Sequence, residues 1–181
     1  MNALLLLADG FETTEALLTY DLLCRSHLFK TTLCSIKKER SVVSSHGVHV
    51  EAETTLDQID RSAFDMVILP GGKLGTENLG ASEEVHCLIS DFLSSGKDVH
   101  AICAAPSILG KYGYLDNIAY TCFPGFQTGK GTWLDQGVVV TPHTITGRSM
   151  GYTMDFAKAI IAHYYGQEAV ERIRAGVEGL A

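Results

Sequence analysis

The clearest chemical candidate in this sequence is Cys103, which follows the predicted strand residues Val99-His-Ala-Ile102 and precedes Ala104-Ala105-Pro106. A buried strand, a cysteine, small residues and a helix start, in that order, are typical of a nucleophile elbow. Pro106 suits the first helical turn because its φ is fixed and it has no N–H to leave unpaired. Unpaired N–H groups at a helix N-terminus favour a thiolate. The alternative is a buried, inert thiol, the usual state of a cysteine.

Two glycines, Gly71 and Gly72, follow a second apolar segment, residues 64–69. Glycine tolerates positive φ, so backbone N–H groups at this point can face a crevice. Together with the N–H of Ala104 they would form an oxyanion hole beside the thiolate. The alternative is a tight turn between a strand and a helix, with no chemical role.

A third candidate, Glu15, lies three residues after Glu12 and on nearly the same face of a predicted helix. A capping box that starts at Asp9 explains Glu12. Glu15 precedes a run of apolar residues and is expected to face inward. A carboxyl group beside a thiolate would be desolvated and driven toward its protonated form, so it would donate a hydrogen bond to sulfur and carry protons. The spacing alone also allows a solvated surface glutamate.

The hydrophobic pattern predicts a parallel sheet that would bring these candidates together. Short apolar segments at 3–8, 64–69 and 98–102 predict strands buried on both faces. We also predict strands at 29–36 and 138–141, a hairpin at 41–53, a turn at 146–151, and helices at 9–25, 82–95, 103–112, 152–165 and 167–177. This alternation predicts one doubly wound α/β domain over residues 1–181. Ligands bind such folds at the carboxyl ends of the strands, where the three strand ends would share one crevice.

Composition excludes several classes of protein. The 181 residues carry a net charge of −7, which argues against nucleic acid as a partner. The apolar run at 3–8 is far shorter than the ~20 residues of a membrane helix, and no basic segment precedes it as in a secretory signal. The five cysteines are an odd number without a CxxC pair, so neither a disulfide framework nor a zinc site is indicated. We therefore expect a cytoplasmic protein with free thiols.

Two weaker patterns do not support a cofactor or a metal. Residues 125–131 resemble a phosphate-binding loop, but one spacer residue is missing and Lys130 is not followed by a hydroxyl residue. His46 and His49 lie on the predicted hairpin without a nearby third ligand. The sequence therefore predicts neither a bound cofactor nor a metal ion.

The sequence resembles the ThiJ/PfpI superfamily in three features and their spacing: Leu69-Pro-Gly-Gly72, Ala101-Ile-Cys-Ala-Ala-Pro106 and Glu15. Within the superfamily it is most similar to the branch of the parkinsonism-associated deglycase (DJ-one) and its bacterial relatives. The similarity covers essentially the whole chain. It implies a three-layer, flavodoxin-like α/β sandwich with a mostly parallel sheet, helices on both faces and a cysteine nucleophile elbow, usually assembled as a homodimer. It also implies that Cys103 is the reactive thiol, that Glu15 is its protonated partner, and that Gly72 and Ala104 supply anion-binding N–H groups.

The resemblance implies a cofactor-free, glutathione-independent conversion of 2-oxoaldehydes, such as methylglyoxal, to hydroxy acids, or repair of early glycation adducts. A small aldehyde or a glycation adduct would then be the partner. A second possibility is a redox-sensing stress protein or chaperone that acts through oxidation of Cys103 with little turnover. A third is a flavodoxin-like module that binds a phosphate or a nucleotide.

Two departures from the family pattern bear on mechanism. Ala104 stands where the protease-like branch has a histidine, which argues against peptidase activity. Phe123-Pro124 stands where the deglycase branch often has His-Pro, so a histidine base is missing. Glu15 is left as the obvious proton carrier.

Overall fold

The computed structural model describes residues 1–180, which form a sheet of seven strands with helices on both faces. The strands are β1 (Asn2–Leu7), β2 (Lys30–Ser35), β3 (Ser41–Val43), β4 (His49–Glu51), β5 (Thr54–Thr55), β6 (Met66–Leu69), β7 (Asp98–Ile102), β8 (Ala119–Tyr120), β9 (Thr132–Trp133), β10 (Val138–Val140) and β11 (Ile145–Gly147). The helices are α1 (Thr13–Arg25), α2 (Lys73–Ala81), α3 (Glu83–Ser94), α4 (Pro106–Lys111), α5 (Thr153–Tyr165) and α6 (Gln167–Glu178).

The main sheet has the strand order β10-β11-β7-β6-β1-β2-β5. All its pairs are parallel except β10 with β11. The registers Leu5↔Ile68 and Ile68↔His100 align the three central strands β1, β6 and β7. Their carboxyl ends therefore lie at one edge, as the sequence predicts. The strands β3 and β4 form the predicted hairpin, and β8 pairs with β9 outside the main sheet.

The central strands are apolar on both faces because each face packs against helices. Along β1, Leu4 and Leu6 face the core that α3 and α4 cover, whereas Leu5 and Leu7 face the core that includes α1 and α5. All four leucines are fully buried. Each buried leucine contributes about 1.5–3 kcal/mol relative to an exposed one, and this burial holds the three layers together. The predicted α/β sandwich with a mostly parallel sheet is confirmed.

Two elements, α2 and β11, differ from the sequence prediction. The helix α2 was not predicted, because two glycines, Gly75 and Gly80, interrupt its apolar pattern. One of them, Gly75, lies so close to Phe11 that a Cβ there would be 2.7 Å from the Phe11 Cα. The strand β11 takes up the first two residues of the turn predicted at 146–151. Its Gly147 packs against the Ile102 side chain, so tertiary contact overrides the turn propensity of the segment.

The first helix also begins differently from the prediction. Glu12 caps α1, and its carboxylate accepts a hydrogen bond from the Glu15 N–H at 2.6 Å. Asp9, the predicted cap, instead accepts hydrogen bonds from the Lys37 ammonium group and the Val43 N–H. Within residues 1–180, no helix has the length and apolar character needed to cross a membrane.

Candidate functional site

Cys103 lies at the apex of a strained turn between β7 and α4. Its φ is +64°, a left-handed conformation that non-glycine residues adopt only at a cost. Two backbone hydrogen bonds hold it there: the Cys103 N–H donates to the Gly147 carbonyl at 2.9 Å, and the Cys103 carbonyl accepts from the Phe123 N–H at 2.7 Å. The thiol is half-buried. The predicted elbow geometry is present, and the unpredicted strand β11 anchors it.

The first turn of α1 presents Glu15 to the same crevice. Only 1% of Glu15 is exposed, and its Oε2 accepts a hydrogen bond from the Gly71 N–H at 2.8 Å. Its other oxygen, Oε1, is buried and finds no hydrogen-bond partner in the part of the chain that the structure describes. Glu15 is therefore an inward-facing carboxyl group, and the reading as a solvated surface glutamate does not hold.

Gly71 is the point at which the carboxyl group and the cysteine meet. A Cβ at this position would lie 2.6 Å from Glu15 Oε2 and 2.7 Å from the Cys103 Cβ, so only hydrogen fits there. The next residue, Gly72, has a φ of +87° and its Cα faces the Gly10 carbonyl, which a Cβ would approach to 2.3 Å. The two glycines thus allow the ends of β1, β6 and β7 to close on one another.

The backbone N–H groups at the site face different partners. Those of Gly72 and Ala104 lower the pKa of the Cys103 thiol. The Gly71 N–H is directed instead at the Glu15 carboxylate. Two of the three sequence-predicted anion-binding groups therefore act on the thiol, and the third orients the carboxyl group.

Burial controls the ionisation of both acidic groups. Desolvation raises the pKa of Glu15 to about 7, against the opposing hydrogen bonds from Cys103 and Gly71. Desolvation, and then the charge of an ionised Glu15, raises the pKa of the Cys103 thiol to about 12. The N-terminus of a helix favours a thiolate, but desolvation has a larger effect and favours the neutral thiol. The sequence does not show this desolvation. A Glu15 carboxylate and a Cys103 thiolate would repel each other in this buried site, so the two groups titrate as a coupled pair.

The remaining sequence candidates lie elsewhere. Cys34 and Cys122 are buried, Cys24 is half-buried and Cys87 is exposed. His49 belongs to the exposed hairpin strand β4. Within the described residues, no group of three or more histidine, cysteine, aspartate or glutamate side chains is arranged to hold a metal ion.

A second buried polar cluster occupies the opposite end of β7. The His100 Nδ1 accepts from the Ile145 N–H at 3.1 Å, and its Nε2 lies 2.9 Å from the Tyr164 hydroxyl. That hydroxyl donates to Asp98, which also contacts the His143 Nδ1 at 2.8 Å. Burial lowers the pKa of His100 to about 3, so its ring is neutral. The amino-acid sequence alone does not reveal this cluster, because its members are far apart along the chain.

Comparison with known proteins places this architecture in a family. Residues 1–163 match the model of the DJ-1/PfpI family. The protein DJ-1beta of Drosophila melanogaster is 32% identical over 180 residues, which cover 97% of this chain and 96% of that protein. Its crystal structure superposes with a TM-score of 0.91 over 97% of this chain and 96% of that one.

Two further relatives carry names that describe an activity. A deglycase from Pyrococcus horikoshii is 28% identical over 82% of this chain and 90% of its own length. A glutathione-independent glyoxalase from Caenorhabditis elegans is 28% identical over 92% of this chain and 90% of its own length. With the full-length match to DJ-1beta and the family model, these similarities show that the chain belongs to the DJ-1/PfpI family.

Proposed function

We propose that this chain is a cysteine-dependent, cofactor-free enzyme that converts reactive 2-oxoaldehydes to 2-hydroxy acids. The deglycase and glyoxalase relatives support an activity of this general type. The observation that carries the proposal is the buried contact among Glu15, Gly71 and Cys103, in which a carboxyl group with a pKa of about 7 adjoins a thiol at an elbow. A group that titrates near neutral pH can both accept and return a proton.

The reaction begins with the Cys103 sulfur, which attacks the aldehyde carbon. A C–S bond forms, and the carbonyl oxygen takes up a proton to give a hemithioacetal. The Gly72 and Ala104 N–H groups, which face the sulfur, stabilise the oxyanion that develops beside it. The Glu15 carboxylate accepts the thiol proton, so the nucleophile need not ionise into solvent.

The second stage moves hydrogen within the adduct. Glu15 removes the proton from the former aldehyde carbon and returns it to the neighbouring ketone carbon, which leaves a 2-hydroxy thioester on Cys103. Water then cleaves the C–S bond, releases the 2-hydroxy acid and restores the thiol. One carbon is oxidised and its neighbour is reduced, so one water molecule is consumed and no external oxidant or cofactor is needed. Ala104 follows the nucleophile, so no histidine is available there for peptidase chemistry.

Lactate formation from methylglyoxal tests this proposal. The wild type is expected to form lactate, and Cys103→Ser is expected to be inactive. Cys24→Ser, which removes a half-buried thiol outside the site, is the matched control and should keep full activity. Equal lactate formation by wild type and Cys103→Ser would contradict the mechanism.

A second candidate function is redox sensing through the same sulfur. The Gly72 and Ala104 N–H groups, which lower the pKa of the Cys103 thiol, would also stabilise a sulfinate formed by two-step oxidation with peroxide. Intact mass after mild peroxide treatment should then show two added oxygens, mapped to Cys103. Preferential oxidation of the exposed Cys87 would contradict this candidate.

Three further expectations from the sequence stay predictions. A glycation adduct as an alternative substrate would need room beside Cys103 for a bulkier group than methylglyoxal. The homodimer is tested by the mass of the protein in solution. The cytoplasmic location is tested by fractionation of cells that express the chain.

A further inference from the structure

Phe123 is an exposed aromatic residue whose backbone is tied to the elbow. Its N–H donates to the Cys103 carbonyl at 2.7 Å, and the residue is 44% exposed. Single exposed apolar side chains are common on protein surfaces and need no explanation by themselves. This one differs because one hydrogen bond fixes its backbone beside the cysteine that the mechanism uses.

A second aromatic ring extends the apolar surface away from Cys103. Phe126 packs edge-on against Phe123, with ring centroids 6.2 Å apart and planes at 77°. The Phe126 N–H also donates to the Phe123 carbonyl at 3.0 Å, so one tight turn holds both rings. The pair is therefore a preformed surface and not two independent side chains.

Phe126 also lines a cavity between α2 and α4. The cavity has a volume of about 340 Å³, and its wall includes Ile108, Ser107 and Thr128 together with the charged residues Glu77 and Lys111. Ser107 lies in the first turn of α4, where its hydroxyl donates to the Ala104 carbonyl at 2.7 Å. Ser107 thus lies on the cavity wall three residues after Ala104, whose N–H is a proposed anion-binding group. Its size exceeds the needs of a methyl group and suits a ring or a branched chain.

We infer that Phe123, Phe126 and this cavity form a subsite for the apolar substituent of the substrate, so that the enzyme prefers aryl or branched-chain 2-oxoaldehydes to methylglyoxal. The inference rests on the proposed function and specifies its substrate class. Aromatic rings gain about 0.5–1.5 kcal/mol from edge or offset contacts in addition to the area they bury. A methyl group leaves both rings in water and gains neither contribution. Phe123 is thus a specificity-determining residue.

The test compares kcat/KM for phenylglyoxal with kcat/KM for methylglyoxal, from initial rates so that slow modification of arginine side chains by the aldehydes does not contribute. The wild type is expected to favour phenylglyoxal, and Phe123→Ala should lower the ratio about tenfold. Phe126→Ala should lower it less, because the backbone N–H of Phe126 bonds to Phe123 and not to Cys103. The matched control is Val177→Ala, which truncates a 39% exposed side chain on α6 and should leave the ratio unchanged.

A measurement without turnover complements the kinetics. The Cys103→Ser variant should bind the aryl product mandelate more tightly than lactate, and the additional change Phe123→Ala should remove that difference. A wild type that converts both aldehydes with a ratio unaffected by Phe123→Ala overturns the subsite and leaves the proposed function standing. A wild type that converts neither aldehyde overturns the proposed function and this inference with it.

Discussion

The strand β7 carries a buried polar cluster near each end, and the two clusters differ in how well their groups are satisfied. At the amino-terminal end, His100 uses both ring nitrogens, and Tyr164 and Asp98 complete the network. At the carboxyl-terminal end, the Glu15 Oε1 lacks a hydrogen-bond partner among residues 1–180, and Cys103 has a positive φ.

The difference separates a stabilising network from a reactive one. A satisfied buried network rigidifies the sheet and keeps His100 neutral, whereas an unsatisfied group retains the capacity to bind a new atom or proton. Strain and unpaired polar atoms lower stability, so a strained Cys103 beside an unpaired Glu15 Oε1 is consistent with a site that the fold maintains for chemistry. The same strand thus contributes stability at one end and candidate chemistry at the other.

The largest expected effect is on activity, at the carboxyl-terminal cluster. Cys103→Ala and Cys103→Gly should both lower turnover of 2-oxoaldehydes by at least about a thousandfold, because no nucleophile is left. The glycine variant should have a free energy of unfolding about 1 kcal/mol higher than that of the alanine variant, as measured in urea. The reason is that glycine adopts a φ of +64° without strain. Equal stability of the two variants would show that the elbow is not strained.

The next largest effect is on stability, at the amino-terminal cluster. His100→Ala leaves the Ile145 N–H without its acceptor, removes one of the two partners of the Tyr164 hydroxyl and opens a cavity, so we expect the free energy of unfolding in urea to fall by about 3 kcal/mol. The matched control is His143→Ala. The His143 side chain contacts Asp98 but is 59% exposed, so its removal should lower the free energy of unfolding by less than about 1 kcal/mol. Specific activity of the folded His100→Ala protein should stay near that of the wild type. A large loss of activity would mean that the two clusters are coupled.

The stability of the protein should depend on pH in opposite directions for the two clusters. The pKa of Glu15 is raised from 4.5 to about 7 in the folded state, so its contribution is complete below pH 4.5 and is lost as the pH rises through about 7. The pKa of His100 is lowered from 6.5 to about 3, so its contribution is present above pH 6.5 and falls as the pH decreases. The two effects oppose each other where the ranges overlap, between pH 4.5 and 6.5.

Glu15→Gln separates these opposing contributions. Relative to the variant, the wild type should lose up to about 3 kcal/mol between pH 4.5 and 7, because each pKa unit corresponds to about 1.4 kcal/mol. Unfolding of both proteins in urea at a series of pH values measures this difference, to which His100 contributes equally in both. Parallel curves would show that Glu15 ionises as freely in the folded protein as in the unfolded chain.

The smallest effect is expected at the glycine between the two acidic groups. Gly71→Ala places a Cβ 2.6 Å from Glu15 Oε2 and should destabilise the protein by about 2 kcal/mol. It should also lower activity, because Glu15 and Cys103 must separate. Gly151→Ala, where a Cβ has no atom within 4 Å, is the control and should be nearly neutral. Equal stability of the two variants would place the contact at Gly71 in doubt.

The parallel sheet and the elbow were predictable because their signals are local. A continuous apolar strand can be buried only between two layers of helices, and a cysteine between such a strand and a proline-started helix lies at its carboxyl end. The helix α2 and the strand β11 were missed because their glycines are required by neighbours distant in sequence. Phe11 explains Gly75, and Ile102 explains Gly147.

For the site, residue types and order determined which groups are candidates: Cys103 after one strand, Gly71 and Gly72 after another, and Glu15 in the helix after the first. Tertiary structure alone decided their protonation and their partners. Desolvation depends on every layer packed around a group, so it brings the Glu15 pKa to about 7 and opposes the thiolate that a helix start favours. The aromatic pair beside Cys103 was likewise decided by the fold, because a single backbone hydrogen bond joins segments twenty residues apart.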